Sequence, residues 1–394
     1  MEKNNLNTCP VHNRLLLLSL ALSSLSVCLV TVAFQVLMVD VAASFQVQVG
    51  TASMVAAVGS ISGIIVGLLL AVVSIRYDHK LLLLLGLVCN VFAALGYFFA
   101  PTFQWLLVSN IAVGAGLAIV GAMTYSIIGD VYPLDKRGSA VGVMVAATTL
   151  SFVIGSPLVG VLSTFYDWRM VTIILSLPVV FTCLILATLF IPRNTSPKQL
   201  IQKEPFSVGY KQAFSSVSGV AALSVTMFMF IEGAVGYYSV SFFREQFGVS
   251  VAWGSTYFLI ANIVAAVGGA IAGLMVHRIG RKKLGTMTLI VACALTLGFT
   301  LMPTAELSGS LSVLRYFFSA MAMTAGGSLI IEQLPKFRST LMSLNTAFMN
   351  IGMLVASLVG GFTLNSFGYQ ALGLVLGGLG LLGTIIWIAL VRDP

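Results

Sequence analysis

Three ionisable side chains interrupt long apolar stretches of this sequence, and they are the first candidates for chemistry. Glu232 lies in the middle of one apolar run, Arg315 lies a turn or two inside another, and Asp40 ends a third. A charge at the centre of a membrane-spanning helix costs about 2.5–3.5 kcal/mol, so it must pair or take up a proton. Glu232 is the best candidate for a proton carrier. The alternatives are a static ion pair of Glu232 with Arg315, and a solvated helix cap at Asp40.

The sequence shows no spacing of residues that is typical of a metal site, a catalytic site or a nucleotide site. The three histidines, His12, His79 and His277, have no metal-ligand spacing, and the five cysteines form no close pair. No nucleophile and base occur in a recognisable arrangement. No Gly-x-x-x-x-Gly-Lys loop is present to hold a nucleotide phosphate. An enzyme, a metal site and an ATP-driven pump are therefore disfavoured, and we expect no cofactor.

The elements that hold the three ionisable side chains must be membrane helices. Of the 394 residues, 58% are hydrophobic and 8% are charged, and the mean hydropathy is +1.04. Soluble proteins carry about a quarter charged residues. Since a spanning helix takes ~20 apolar residues, the chain has room for about a dozen spans and none for a soluble catalytic domain. The net charge of +8 is interpreted as topological, and nucleic acid is not an expected partner.

The apolar runs predict twelve spans in two sets of six. The first set lies near 14–39, 49–75, 81–100, 104–129, 138–165 and 169–191, and the second near 218–243, 251–276, 284–303, 309–331, 339–366 and 370–391. The longest polar stretch, 192–217, separates them. We therefore expect an N-terminal six-helix half at 1–191, a linker at 192–217 and a C-terminal six-helix half at 218–394.

Basic residues predict the orientation of these spans. If the N-terminus is cytoplasmic, every Lys and Arg lies inside except Arg169, Arg244 and Arg315, which leaves 17 of the 20 on the cytoplasmic side. Loops rich in Lys and Arg stay in the cytoplasm. Both termini and the linker are therefore expected in the cytoplasm of a multi-pass protein of the cell membrane.

The second half repeats features of the first at a shift of 202 residues. The matched charged positions are Arg76 with Arg278, Lys80 with Lys282, Asp130 with Glu332 and, after one deletion, Arg137 with Arg338. Parallel six-helix repeats build one large class of transporters, in which the substrate binds near the midplane between the halves. The repeat predicts alternating access, and together with the buried acid it disfavours a non-transporting receptor.

Two loops carry a family signature. Ile128–Gly138 reads IGDVYPLDKRG, and Gly273–Lys283 reads GLMVHRIGRKK. Together they resemble the major facilitator superfamily, and the resemblance covers essentially the whole chain. It implies an all-α membrane fold of twelve transmembrane helices in two pseudo-symmetric six-helix halves. It also implies a small-molecule substrate, and we expect a monomer in the lipid bilayer.

The resemblance also assigns roles to residues, because spans one, four, seven and ten line the cavity in this family. Glu232, Arg315 and Asp40 would then share one polar site. Further lining candidates form an aromatic and thioether wall that suits apolar or amphipathic ligands: Gln35, Met123, Tyr125, Tyr237, Tyr238, Met321 and Met323. Three asparagines of spans eight and eleven are expected to hydrogen-bond between helices, the alternative being contact with the ligand: Asn262, Asn345 and Asn350.

The cytoplasmic helix ends are expected to form the inner gate. Repeat-related ion pairs would close it and break when it opens, with the acids Asp130 and Glu332 and the bases Arg76, Arg137, Arg278 and Arg338. Departures from the family pattern occur nearby and in the fourth span. Ile75 and His277 stand where the loop signature has Asp, and Asn110 stands where the fourth span has Arg.

The fifth span contains Gly155, Pro157 and Gly160 in a segment similar to the motif of proton-driven drug and metabolite exporters. Proline removes a backbone hydrogen bond, so these residues form either an exporter-type hinge or an ordinary packing kink. The sequence thus predicts a proton-coupled exporter of small amphipathic or lipophilic compounds. The alternative is a facilitator or proton symporter that imports a small metabolite, which the departures at Ile75 and Asn110 favour.

Overall fold

The computed structural model describes residues 10–74, 76–192, 211–212, 214–333 and 338–392. In this part of the chain the regular elements are helices and no strand occurs. The helices are α1 Pro10–Ser44, α2 Val49–Ala52, α3 Met54–Val73, α4 His79–Phe98, α5 Phe103–Val131, α6 Leu134–Leu162, α7 Trp168–Phe190, α8 Val217–Gly233, α9 Val235–Phe247, α10 Val251–Ile279, α11 Arg281–Phe299, α12 Ala305–Gln333 and α13 Arg338–Leu390. The expected linker lies mostly outside the described residues.

Eleven helical stretches among the described residues are long and apolar enough to cross a bilayer, with mean hydropathies from 1.2 to 2.6. One of them, Leu341–Leu390, has 50 residues. At 1.5 Å per residue it would be about 75 Å long, more than twice the hydrocarbon thickness of a bilayer. It is interrupted at Gly368, whose φ of 80° and ψ of −175° are not helical. The count of twelve spans stays a prediction, and Gly368 is where the additional span would begin.

Helices begin where a polar side chain follows a loop. Asp78, Thr102, Asp167, Ser216 and Ser250 each accept a hydrogen bond from a backbone N–H in the first turn of the helix that follows. The first N–H groups of a helix have no partner inside it, and such a cap satisfies one of them. The polar residues between apolar runs therefore determine the starts of α4, α5, α7, α8 and α10.

The described residues divide into two compact units. The first contains those of 1–34 and 62–200, and the second contains those of 35–61 and 201–394. The boundary crosses α3 between residues 61 and 62 and α1 between residues 34 and 35. The crossing in α1 is close to Leu37, where the helix departs from helical geometry with φ −103° and ψ 15°. The 35–61 segment, which belongs to the first half by sequence, thus groups with α8–α13.

Each unit has its own apolar core and its own lysine at a helix end. Leu83 and Ile127 are fully buried in the first unit, and Leu223 is fully buried in the second. The Nζ of Lys80 donates to the carbonyls of Thr188 and Ile191 at the end of α7. The Nζ of Lys282 donates to the carbonyl of Ile388 at the end of α13. The 202-residue shift pairs these two lysines, and both bind carbonyls of a last turn, which lack partners within a helix.

Candidate functional site

A buried carboxylate and guanidinium form the polar centre of the second unit. Glu232 of α8 and Arg315 of α12 are each 1% exposed, and Arg315 Nη1 lies 3.3 Å from Glu232 Oε1. Thr296 of α11 donates to Oε1 at 2.6 Å, and Ser319 of α12 donates to Oε2 at 3.0 Å. The carboxylate therefore accepts hydrogen bonds from three side chains, which offsets the cost of burying its charge.

Arg315 lies next to a break in the seventh apolar stretch. α8 ends at Gly233, one residue after Glu232, and α9 begins at Val235. A Cβ added at Gly236 would lie 2.9 Å from Arg315 Nη2 and 2.4 Å from the hydroxyl of Tyr316. That hydroxyl donates to the carbonyl of Gly236 at 3.2 Å. Only glycine leaves room for Arg315 and Tyr316 here, so Gly236 allows α12 to pack against the start of α9.

Two of the three guanidinium nitrogens of Arg315 donate no hydrogen bond to a described residue. Its Nε and Nη2 make no hydrogen bond with any described residue. Its Cζ lies 4.4 Å from the centre of the Tyr316 ring, an arrangement that stabilises a cation. A guanidinium has five N–H donors and here uses one of them on Glu232. The pair is thus a single contact, not the two-pronged arrangement that Arg and a carboxylate form at their strongest.

Asp40 does not join Glu232 and Arg315. It lies in α1 beyond Leu37, and its two carboxylate oxygens bind Arg244 of α9 at 2.5 and 2.8 Å. Its side chain is 37% exposed, and that of Arg244 is 13% exposed. Arg244 was not among the residues singled out from the sequence. A signal existed, because Arg244 is one of the three bases outside the predicted cytoplasmic segments.

Further hydrogen bonds tie the 40–53 segment to the second unit. Tyr238 of α9 donates to the hydroxyl of Ser53 at 3.0 Å, and Asn365 of α13 donates to the hydroxyl of Thr51 at 2.9 Å. A Cβ added at Gly50 would lie 2.3 Å from the carbonyl oxygen of Gly361, so the two backbones touch. We use the name hairpin clasp for these contacts and the Asp40–Arg244 ion pair together, that is, for the pairs Asp40–Arg244, Ser53–Tyr238, Thr51–Asn365 and Gly50–Gly361.

The other predicted lining residues differ in exposure. Tyr237 and Tyr238 are buried and their rings meet edge to face at 5.7 Å. Tyr125 of α5, in the first unit, is exposed. Gln35 of α1 has a buried Oε1 without a hydrogen-bond partner among the described residues.

The expected gate acid of the first unit pairs with histidine. Asp130 Oδ2 lies 2.7 Å from Nδ1 of His79, the buried first residue of α4. Arg137 donates instead to the backbone carbonyls of Tyr132 and Gly129. Arg76 is exposed. Sequence reasoning missed His79 as a partner, although the 202-residue shift matches it with another base, Arg281.

The corresponding residues of the second unit are only partly described. Arg278 lies exposed in the last turn of α10. The side chains of Glu332 and Arg338 lie outside the described part of the structure. The proposed gate residues of the second half therefore stay a prediction.

Around Pro157 the fifth span remains helical. α6 runs from Leu134 to Leu162 through this proline. A Cβ added at Gly155 would meet Leu29 and Val32 of α1 at 3.4 and 3.2 Å, so the two helices pack closely there. Gly160 lies in the last turn of α6. The hinge role of Gly155, Pro157 and Gly160 stays a prediction.

The expectation that three asparagines bond between helices is wrong. Asn262 donates to the carbonyl of Phe258, Asn350 to that of Thr346, and Asn345 to the Sδ of Met349, all within their own helices. An amide can reach back to the carbonyl four residues earlier on the same helix, which satisfies it without a partner helix. Asn345 differs from the other two asparagines, because its amide oxygen Oδ1 is buried and has no hydrogen-bond partner among the described residues.

A cavity of about 190 Å³ lies in the second unit between α8, α12 and α13. Its walls include four methionines, Met229, Met323, Met342 and Met349, with Phe230 and Asn345. Of these, sequence reasoning identified only Met323 as a lining residue. The described residues contain no group of three His, Cys, Asp or Glu side chains able to hold a metal ion.

Comparisons with known proteins place this arrangement in a family. The sequence matches the Major Facilitator Superfamily over residues 20–316 and 310–394. The fold is similar to a bacterial homologue of the human lysosomal transporter Spinster, in an inward-facing and unoccupied conformation, with a TM-score of 0.77, 16% identity, and coverage of 98% of this chain and 100% of that one.

Two further solved structures have the same fold. A D-xylose–proton symporter matches with a TM-score of 0.81 and 17% identity, over 97% of this chain and 98% of that chain. The nucleoside transporter NupG matches with a TM-score of 0.79 and 15% identity, over 96% and 100%. The family match covers nearly the whole chain, and the chain therefore belongs to the Major Facilitator Superfamily and is a multi-pass membrane transporter, not an enzyme.

Proposed function

We propose that this transporter exports small amphipathic or lipophilic compounds in exchange for protons, by alternating access. In this proposal the chain forms twelve spans, with halves at 1–191 and 218–394 and a cytoplasmic linker at 192–217. It is a monomer of the cell membrane, and both termini are cytoplasmic. The observation that carries the proposal is the buried Glu232, bonded to Arg315, Thr296 and Ser319 at the break between α8 and α9.

Proton uptake at Glu232 is supported by the kind of partners it has. A hydroxyl donates to a carboxylate, and after rotation it accepts from a protonated carboxyl. Thr296 and Ser319 can therefore satisfy Glu232 in both protonation states without moving a helix. Protonation weakens the single contact to Arg315 and leaves the guanidinium free to bind elsewhere. A proton at Glu232 thereby changes the electrostatics of the site while its packing is retained.

The hairpin clasp supports alternating access. In the proposed topology Asp40, Thr51 and Ser53 belong to the first half and lie at the outer ends of their spans. Their partners Arg244 and Asn365 belong to the second half. Contacts of this kind close one side of a transporter and break when that side opens. The pair of His79 and Asp130 is proposed to take part in the gate on the cytoplasmic side, together with Arg76 and Arg137.

Import by proton symport is the second candidate. It is supported by Asn110, which replaces the arginine of the fourth span. Asn110 is buried and donates to the hydroxyl of Tyr97 at 2.5 Å, so it is engaged inside the first unit and does not supply a positive charge. The D-xylose–proton symporter and NupG share the fold, and the fold alone fits either direction.

Proteoliposomes with an imposed pH gradient separate the two candidates. The panel contains cationic, neutral and anionic compounds, and protein-free liposomes correct for weak bases that accumulate in acid vesicles unaided. If the protein exchanges, an acid interior drives accumulation of an amphipathic compound as protons leave. Accumulation only with an alkaline interior would instead establish symport. Accumulation without dependence on the gradient would contradict proton coupling.

A further inference from the structure

Three helices form the walls of the methionine-walled cavity of the second unit, which is open on one side, where Met323 and Met342 are exposed. α8 contributes Met229 and Phe230, α12 contributes Met323 and Gly327, and α13 contributes Met342 and Asn345. An engineered protein cavity of about 150 Å³ binds benzene, so a space of about 190 Å³ can hold a ligand with a single ring or with two fused rings. The cavity is thus large enough for a small ligand.

The described residues of its walls are flexible and uncharged. Thioether side chains are flexible and polarisable, and they adapt to apolar ligands of different outline. Among the described residues that line the cavity there is no Asp, Glu, Lys or Arg. A fully charged ligand would lose its hydration there without a counter-charge, which is costly. The walls therefore favour a neutral, largely apolar compound.

Asn345 adds one specific requirement. It is 5% exposed, and its Oδ1 has no hydrogen-bond partner among the described residues. Among the described residues its Nδ2 donates to the Sδ of Met349, at 3.7 Å. The hydroxyl of Thr226, which also lines the cavity, already donates to the carbonyl of Ala222 at 3.3 Å. A buried acceptor without a partner is costly, and a donor on a ligand would satisfy it.

From these observations we propose that the cavity is a substrate subsite for neutral compounds of one or two fused rings that carry a single N–H or O–H donor, which Asn345 Oδ1 accepts. This rests on the proposed transport of lipophilic compounds and specifies their chemistry. Met229 lies three residues before Glu232, so the subsite and the buried acid share a helix with about 4.5 Å of rise between them.

Indole and indene provide a matched pair of probes, because they have nearly the same shape and only indole has an N–H donor. Binding is measured calorimetrically with the full-length protein in lipid nanodiscs, and empty nanodiscs correct for partition into lipid. We expect the wild-type protein to bind indole about tenfold more tightly than indene. In Asn345→Leu this preference falls to about one. Asn350→Leu, on the same helix and outside the cavity, keeps it.

A second pair of variants tests the location. A Cβ at Gly327 or at Gly378 has no atom of another described element within 4 Å, so both positions accept a larger side chain, but of the two only Gly327 is among the described lining residues of the cavity. Gly327→Leu is expected to weaken indole binding at least tenfold, and Gly378→Leu is expected to leave it unchanged. Unchanged binding by Gly327→Leu, or no binding of either probe by the wild type, would overturn the subsite.

Transport in the same preparations separates this inference from the proposed function. If the wild type binds indole with the expected preference but no compound moves with the pH gradient, proton-coupled export fails and the subsite stands. If gradient-driven transport of indole is normal in Gly327→Leu, the subsite fails and the proposed function stands.

Discussion

Replacing Glu232 with glutamine removes a titratable group from the buried site while its size is kept. The amide oxygen can still accept from Thr296 and from Arg315 Nη1, so the structure predicts that both hydrogen bonds remain, now to an uncharged acceptor. A hydrogen bond to a charged group contributes about 1.5–3 kcal/mol and a neutral one about 0.5–1.5 kcal/mol. Because only one contact involves Arg315, we expect Glu232→Gln to lower the free energy of unfolding by about 1–2 kcal/mol. Arg315 also retains its contact with the ring of Tyr316.

The functional effect should be much larger than this loss of stability. If Glu232 carries the proton, Glu232→Gln abolishes accumulation driven by a pH gradient. Exchange of labelled for unlabelled substrate, which needs no net proton movement, continues. The matched control is Glu245→Gln, since Glu245 is an exposed carboxylate of the same unit that accepts from Tyr369 at 2.6 Å. We expect this control to retain gradient-driven transport.

The alternative, a static ion pair, predicts a different pattern. Breaking a buried pair by neutralising one partner typically costs about 3–5 kcal/mol, because the other charge is left uncompensated. Glu232→Gln would then fold poorly, and adding Arg315→Gln would restore the folded protein. The two assays are denaturant unfolding in detergent and transport per folded molecule. Full gradient-driven transport by Glu232→Gln would refute both versions.

Three further predictions concern the gates, the hinge and the topology. Asp40→Asn should remove about 1 kcal/mol from the hairpin clasp, because its pair with Arg244 is partly exposed. Transport should fall, and exchanging the two residues by Asp40→Arg with Arg244→Asp should restore it; no recovery would argue against a gate. Gly160→Val should lower coupled export per folded molecule and increase proton leak if α6 is a hinge, at a packing cost of about 1–3 kcal/mol, whereas normal specific activity in tight vesicles would show that the motif has no such role. A cysteine at Lys198 should not react with an impermeant thiol reagent outside intact cells, and labelling there would contradict the cytoplasmic linker.

The membrane helices were predictable because the bilayer imposes a local rule. Every backbone N–H and C=O must be satisfied inside the segment, so ~20 apolar residues in a row form a helix whatever lies around them. Helix starts such as those at Asp78 and Thr102 follow from the next few residues. Breaks inside spans were not predictable in the same way. The non-helical geometry at Leu37 and the end of α8 at Gly233 have no proline to announce them.

The partners of buried charged residues were likewise predictable from the sequence, and those of charged residues near helix ends were not. Glu232 and Arg315 were expected to meet because few buried charges exist and each requires a counterpart. Asp40 was a candidate for the same site, with a solvated helix cap as the alternative, and it binds Arg244 instead. Asp130 binds His79 where arginines were expected. Polar residues near helix ends have several candidate partners in the sequence. The choice among them depends on how helices are placed in space.

Composition, hydropathy and repeated loop motifs thus determined that this chain is an all-helical transporter of its family with a buried acid and base, because those properties depend on local sequence and on the cost of charge in lipid. The tertiary structure alone decided the hairpin clasp, the partner of Asp130 and the methionine-walled cavity. Each of these is made by residues from two or more different helices, such as Met229, Met323 and Asn345. Their meeting depends on side-chain packing between helices, which no local pattern encodes.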